Sequence, residues 1–331
     1  MQRQQQLTAW LQAQFPGEEF SLAPASSDAS FRRYFRATFH DRTLIVMDAP
    51  PEHEDCRPFL HVAKLFEDAG THVPHIYAAD LTQGFLLLSD LGNTTYLQAI
   101  NAENARSLYR DAANALIKIQ LASREGELPP YDEALLLREM RLFPEWYISR
   151  HLNITLTPEQ NAKLETVFER IVANNLAQPR VYVHRDYHSR NLMVTAPNPG
   201  ILDFQDAVYG PITYDLASLF KDAYIKWDEE VIIDYLIGYW EKARRAGLPV
   251  HEDFGQFYRD FELMGAQRHI KVLGIFARLY HRDGKDGYLK DMPLVMEYLR
   301  AACARYIDLK PLLNLLNELE PPQQTPTGYG F

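Results

Sequence analysis

Residues 181–206 read Val-Tyr-Val-His-Arg-Asp-Tyr-His-Ser-Arg-Asn-Leu-Met-Val-Thr-Ala-Pro-Asn-Pro-Gly-Ile-Leu-Asp-Phe-Gln-Asp. Two apolar runs, Val181 to Val183 and Leu192 to Val194, flank a polar loop, and Ile201 with Leu202 returns Asp203 after the turn at Ala196 to Gly200. That pattern predicts a polar loop leading into a short β-hairpin. The loop offers a carboxylate at Asp186 and an amide oxygen at Asn191, and the hairpin brings back a second carboxylate at Asp203. Phosphoryl transfer from a nucleotide needs those three groups. One carboxylate accepts the proton of an attacking hydroxyl, while an amide oxygen and a second carboxylate hold the Mg²⁺ that neutralises the phosphates.

The protein-kinase pattern H-R-D-x-x-x-x-N followed by D-F-G is met at His184, Arg185, Asp186, Asn191, Asp203 and Phe204, with Gln205 in place of the glycine. A solvated hairpin whose Asp and Asn residues merely make turns would meet these six positions by chance on the order of once in ten thousand. The same residues resemble the aminoglycoside phosphotransferase and choline kinase superfamily more closely. That family's loop reads His-x-Asp-x-His-x-x-Asn, and His188 supplies the second His. Where protein kinases carry an activation segment, this chain continues Asp206-Ala-Val-Tyr-Gly-Pro-Ile-Thr-Tyr-Asp-Leu-Ala, as small-molecule kinases of that superfamily do.

A chain of 331 residues, 47% hydrophobic and 24% charged, can bury a substantial core and most simply makes two lobes. The net charge of −10, with no dense Lys/Arg stripe, argues against nucleic acid as a partner. The N-terminus has no signal-like apolar run, and no window approaches 18 uninterrupted apolar residues, so the chain reads as cytoplasmic with no membrane association. Cys56 and Cys303 are too few for a disulfide framework or a zinc site and read as buried thiols. No obligate protein partner is indicated.

Leu7, Trp10, Leu11 and Phe15 fall at helical spacing before Pro16-Gly17. The run Phe31 to Phe39 then alternates, turns at His40-Asp41-Arg42 and returns as Thr43 to Met47, which predicts a hairpin. In the resembling family this hairpin covers the ATP phosphates, so Ser26 to Ser30, with Ser27 as the representative contact, would be the phosphate loop. It carries no glycine, and a solvated turn accounts for it equally well. The second strand ends Val46-Met47-Asp48-Ala49-Pro50 where the family usually has a Lys or Arg on the phosphates, and no lysine precedes Lys64. Arg32, Arg33 or Arg36 of the preceding strand is the expected replacement, Arg33 being favoured, because alternate residues face the nucleotide and a guanidinium fork suits phosphate oxygens. A solvated strand face is the competing account of these arginines.

Cys56 to Ala69 predicts an amphipathic helix ended by Gly70. Strands follow at His75 to Ala79 and Gly84 to Leu88, and the second runs into Ser89-Asp90-Leu91-Gly92, read as a hinge whose backbone, at Ser89 and Leu91, would pair with an adenine edge; an ordinary strand end is the competing account. Beyond Gly92 helical patterns dominate, at residues 95–100, 103–121, 133–152, 158–175, 214–224, 229–246, 253–281 and 293–319. The expectation is an α+β, bilobal, protein-kinase-like fold: a small β-rich nucleotide-binding lobe at 1–91, a larger helical lobe at 92–319 with the catalytic loop and acceptor site, and a disordered tail at 320–331.

Asp186 is the expected base, and Asn191 and Asp203 the expected metal ligands. Asp215 would cap the next helix and receive a hydrogen bond from the catalytic loop. His184 and His188 brace the loop, and Asp206 is a metal-supporting, sugar-contacting or plain turn residue. The stretch Leu135 to Tyr147 joins an apolar stripe to Arg138, Glu139, Arg141 and Glu145, and Pro144 would leave polar groups free near an acceptor. Trp146 beside Glu145 suits a pyranose, although plain helix packing explains most of the stripe. His188 and Asp206 complete the acceptor candidates.

The strings Ala-Ser-Phe-Arg-Arg-Tyr-Phe-Arg (29–36), Leu-Phe-Pro-Glu-Trp-Tyr (142–147) and Met-Gly-Ala-Gln-Arg-His-Ile-Lys-Val-Leu-Gly-Ile-Phe (264–276) resemble one branch, the bacterial anomeric amino-sugar kinases of cell-wall recycling. The resemblance covers nearly the whole chain and implies ATP, Mg²⁺ and a small amino sugar, N-acetylmuramate or N-acetylglucosamine, phosphorylated at C1. A kinase for an aminoglycoside or choline-like acceptor would share every catalytic residue. A catalytically silent ATP-binding module would explain the absent strand lysine, but not the presence of Asp186, Asn191 and Asp203.

Overall fold

The structure, a computed structural model, describes residues 2–27 and 31–321. In chain order it contains α1 (Gln2–Gln14), β1 (Ser21–Ser27), β2 (Arg33–Thr38), β3 (Thr43–Asp48), α2 (Arg57–Asp68), β4 (Ile76–Asp80), β5 (Phe85–Ser89), α3 (Tyr96–Ala99), α4 (Ala105–Leu121) and α5 (Glu133–Met140). A π-helical segment (Phe143–His151), α6 (Pro158–Ala177), β6 (Arg180–Val183), β7 (Leu192–Met193), β8 (Gly200–Ile201) and β9 (Val208–Pro211) follow. The chain finishes with α7 (Tyr214–Phe220), α8 (Glu229–Arg245), α9 (Phe254–Asp283), α10 (Met292–Arg305) and α11 (Lys310–Leu319). The α+β class is as expected, with a small antiparallel sheet early and helices dominating afterwards. Among the described residues no helix is long and apolar enough to cross a membrane. Cys56 and Cys303 are buried free thiols.

The chain packs as two compact units, Met1–Ala122 with Ser189–Ala207, and Ser123–His188 with Val208–Phe331. In this division by packing, α3, α4 and the β7–β8 hairpin belong with the sheet. Residues 322–331 of the expected tail lie outside the described residues, and Glu320, at its start, is held through its carbonyl by Arg300.

In the first unit five antiparallel strands run in the order β1-β2-β3-β5-β4. β2 and β3 pair from Arg33↔Asp48 to Thr38↔Thr43, the hairpin that the alternating pattern predicts. One sheet face is apolar: Phe35, Ala37, Leu44, Val46, Phe85 and Leu87 bury Leu7 and Leu11 of α1, each burial contributing about 1.5–3 kcal/mol. Because side chains alternate, Tyr34, Arg36, Ile45 and Leu88 fall on the other face. α2 turns Phe59, Val62, Ala63 and Phe66 inward and ends before Gly70, whose φ of +74° suits a residue without a Cβ. The short hairpin pairs Leu192 with Ile201 and Met193 with Gly200, as read from the alternation around the turn. β1 was not foreseen, since Ser-Leu-Ala-Pro-Ala-Ser-Ser has little β-propensity of its own; pairing with β2, through a bulge at Pro24/Ser26, imposes the conformation.

The second unit is built around α9, buried along most of its length from Phe257 to Ala277. β6 and β9 form an antiparallel ribbon, Val183 opposite Val208. β9 was hidden by its Gly210-Pro211 ending; a Cβ at Gly210 would lie 2.6 Å from that of Tyr131, so a glycine is required there. The single helix read over 133–152 is two segments: α5 stops at Met140, and Pro144, lacking an N–H, sits in the first turn of the π-helical stretch. The 293–319 pattern likewise divides, with Pro311 at the start of α11.

Candidate active site

The first unit contains a cavity of about 420 Å³, a size suited to a small ligand. Ser89, Asp90, Leu91 and Gly92 at the end of β5, Arg36 and Ile45 of the sheet, and Arg190, Asn191, Asp203 and Phe204 all line it. The β7–β8 hairpin brings the last four together. Leu202 N–H donates to the Asn191 carbonyl at 2.9 Å, and Asn191 Nδ2 lies 3.3 Å from Asp203 Oδ2. Gln205 Nε2 donates to Asp203 Oδ1 at 2.9 Å, so the Gln that replaces a glycine holds the carboxylate. Asp203 takes a left-handed φ of +63°, and Phe204, fully buried, packs on Phe59 and Phe66 of α2 at 4.9 and 5.9 Å between ring centroids.

One carboxylate and one amide oxygen make a hard-donor pair short of a full protein cage, and among the described residues no group of three or more His, Cys, Asp or Glu could hold a metal. That set fits Mg²⁺, which commonly takes one or two carboxylates and completes its octahedron with phosphate oxygens and water.

Each hairpin arginine already has a carboxylate neighbour. Arg33, the favoured phosphate ligand, does not line the cavity. Strand alternation puts it on the α1 face, where it and Arg3 pair with the buried Asp48. Arg32 lies 4.0 Å from Glu54. Arg36 does reach the cavity, and its guanidinium forks onto Asp90 at 2.6 and 2.9 Å and also bonds Asn93. Burial pushes the Asp90 carboxyl up, but Arg36, Thr43 and the Gly92 amide outweigh it and hold the group below the usual range. Ser89 lines the cavity, yet its amide is donated to the His75 carbonyl at 2.9 Å, so that donor is taken. Ser27 ends β1 opposite Arg33; Asp28, Ala29 and Ser30 of the expected phosphate loop lie outside the described residues. Arg190, which also lines the cavity, was not singled out from the sequence; its place next to the expected metal ligand Asn191 was the available signal.

The second unit carries the first part of the 184–191 loop, through His188. Asp215 accepts hydrogen bonds from the His184 and Arg185 amides at 2.7 and 3.0 Å, as expected, but caps no helix: it lies inside α7, whose N-cap Thr213 makes no capping bond and turns its hydroxyl to Gln178 Oε1 instead. Arg185 adopts φ +78°. The Asp186 amide donates to His184 Nδ1 at 3.2 Å, and the His188 amide to the Asp186 carbonyl at 3.0 Å, so both histidines belong to the loop's frame. The His188 ring packs edge-on to Tyr224 at 5.5 Å. Burial pushes the Asp186 carboxyl up, but Lys271, His188, Arg268 and Arg185 prevail and hold it at about 2. Asp186 is therefore an anion at neutral pH. Asp215 is the reverse: burial lifts it to about 7 against the two amides, with Asp186 adding to the rise.

The acceptor candidates have separate surroundings. Glu145 is exposed on a shallow groove with Asp132, Arg138 and Arg141. Trp146, half-buried, has the Arg150 guanidinium 5.9 Å from its ring. Asp206, exposed, lies 3.5 Å from Gln205 Nε2 in the first unit.

The phosphotransferase enzyme family matches residues 21–248 of the chain. Over 336 aligned residues, covering 100% of both chains, the sequence is 51% identical to N-acetylmuramate/N-acetylglucosamine kinase of Neisseria meningitidis serogroup B. It is 52% identical over 327 residues to the enzyme of the same name from Pseudomonas aeruginosa, covering 96% of this chain and 97% of that one. The fold is similar to that of ADP-bound aminoglycoside phosphotransferase APH(2'')-Ib, with a TM-score of 0.60 over 88% of this chain and 97% of that one at 16% identity.

Proposed function

The chain belongs to the phosphotransferase enzyme family, and on that premise we propose that it transfers the γ-phosphoryl group of ATP to the anomeric C1 hydroxyl of N-acetylmuramate and N-acetylglucosamine, in cytoplasmic recycling of peptidoglycan. The observation that carries the nucleotide half of this reading is the lining of one cavity by the Ser89–Gly92 segment, Arg190 and the Asn191–Asp203 pair. The acceptor comes from the relatives' name, carried over at 51% identity.

In this reading Asp186 receives the hydroxyl proton as the sugar oxygen bonds to the γ-phosphorus and the bridge to the β-phosphate breaks, releasing ADP. A carboxylate held at about 2 is a weak base, so its main task is to orient the hydroxyl and take the proton late. Asn191 and Asp203 would hold Mg²⁺, which when bound neutralises charge on the phosphates. Arg190 supplies the cation that the end of β3 lacks. Residues 1–91 act as the nucleotide-binding lobe, and 92–319 as the helical lobe that carries the catalytic loop, with its contribution to the nucleotide cavity, and the acceptor site.

An ADP-release assay over N-acetylmuramate, N-acetylglucosamine, an aminoglycoside and choline, with and without chelator, tests this. Turnover is expected with the two amino sugars only, lost with chelator, and absent with a glycoside methylated at C1. Activity on the blocked glycoside moves the phosphorylated position; activity on choline or the aminoglycoside alone replaces the acceptor. Asp186→Asn should keep nucleotide binding and lose roughly 10²-fold or more in kcat; full activity in that variant removes the base.

A further inference from the structure

Glu139 on α5 is 5% exposed and gathers donors from several elements. Arg185 Nη2 and Lys271 Nζ share its Oε1, the lysine at 3.0 Å, while Tyr131 OH and Gln267 Nε2, at 3.2 Å, share Oε2. Lys271, 6% exposed on α9, donates also to Tyr214 OH at 3.0 Å. Burial pushes the Glu139 carboxyl up, but Lys271, Arg185 and Tyr131 together keep it ionised.

A buried ion pair gives a fold little that apolar side chains of equal volume would not, so the cluster's contribution is to be sought in what it holds. It holds Arg185. That residue has φ +78°, a left-handed conformation that strains a side chain bearing a Cβ, and it immediately precedes Asp186. Its main chain is fixed by Asp215, and its carbonyl accepts from Ser218 Oγ at 3.3 Å. Its side chain is fixed by Glu139, whose own direction is set by Lys271.

We infer that Glu139 and Lys271 are positioning residues for phosphoryl transfer: together they lock Arg185 in its left-handed conformation and thereby set the direction in which Asp186 presents its carboxylate. The inference rests on reading Asp186 as the proton acceptor. Small misplacements of a reacting group cost on the order of 10²-fold in rate.

Lys271→Met and Glu139→Gln, purified and shown folded by circular dichroism, should lose roughly 10- to 100-fold in kcat while KM for ATP and for the sugar stays within about threefold. Lys271→Arg, which keeps the charge, should recover most of the loss. Should both variants fail to fold, Tyr214→Phe removes only the hydroxyl that steadies Lys271 and should show the same split at roughly 3- to 10-fold. Unchanged kcat in the folded variants, a KM that moves as much as kcat, or no recovery with Lys271→Arg overturns the positioning role. Full activity of Asp186→Asn would instead remove the proton acceptor itself, which separates failure of that reading from failure of this one.

Discussion

Of the arginines on β2, Arg33 is bound to Asp48 on the α1 face of the sheet and Arg36 to Asp90 at the cavity, while Arg190 reaches the cavity from the 184–191 loop. A charge-assisted contact to a phosphate contributes about 1.5 to 3 kcal/mol, so Arg190→Ala should lower kcat/KM for ATP on the order of 10- to 100-fold with little change in KM for the acceptor. Arg36→Ala should weaken ATP less, through loss of its hold on Asp90, and Arg33→Ala should leave ATP kinetics unchanged. A large ATP effect at Arg33 alone would reverse this assignment. The loop and hairpin that bring Asn191 to Asp203 were legible because their motif is nearly contiguous, whereas the parity of Phe31-Arg-Arg-Tyr-Phe-Arg36 was not, since aromatic residues occupy both faces of that strand. Asp215 gives a second test. Its folded carboxyl is raised to about 7, so its stabilising contribution is complete below the unfolded value near 4 and is lost as pH rises through 7. In Asp215→Asn the decline in unfolding free energy between about pH 5 and 7.5 should lessen by a few kcal/mol at most. Equal declines in both proteins, measured by urea titration, would show that this carboxyl does not titrate there.

Packing sets what the elements can tolerate. Gly274 of α9 lies against Leu142, ahead of the π-helical segment, and a Cβ there would sit 2.5 Å from the Leu142 carbonyl carbon. In an exposed helix Gly→Ala stabilises by about 1 kcal/mol; here overpacking, typically 1–3 kcal/mol, opposes it. Gly274→Ala should therefore lower the melting temperature, and a rise would mean that Leu142 yields without cost. Elements with strong periodicity were legible in the sequence, and their divisions were not. The β2–β3 hairpin, α2 and α9 each show a sustained period of 2 or 3.6, while α5 already stops at Met140, ahead of Pro144 in the first turn of the next segment, and the strand at Val208–Pro211 depends on pairing with β6 and on the close approach of Gly210 to Tyr131.

For the molecule as a whole, the formal charge of −10 opposes the binding of nucleotide phosphates, so local cations and Mg²⁺ must overcome an unfavourable background. The cavity proposed for the nucleotide is lined entirely by residues of the first unit. Mg²⁺-nucleotide at about a hundred times its Kd should stabilise the folded state by about 2.7 kcal/mol, and the location of that stabilisation is measurable. Amide hydrogen exchange should slow at residues 85–95 and 189–204, which line or frame the cavity, because opening them must first release the ligand. Residues 254–283 of α9 make no part of the lining and should change less. The same experiment on Asp203→Ala should lose most of the protection, since a Mg²⁺ held as proposed would then keep the Asn191 amide oxygen and no carboxylate from the hairpin. Protection concentrated in α9, or undiminished in Asp203→Ala, would move the nucleotide away from the Asn191–Asp203 pair and with it the assignment of that pair to Mg²⁺.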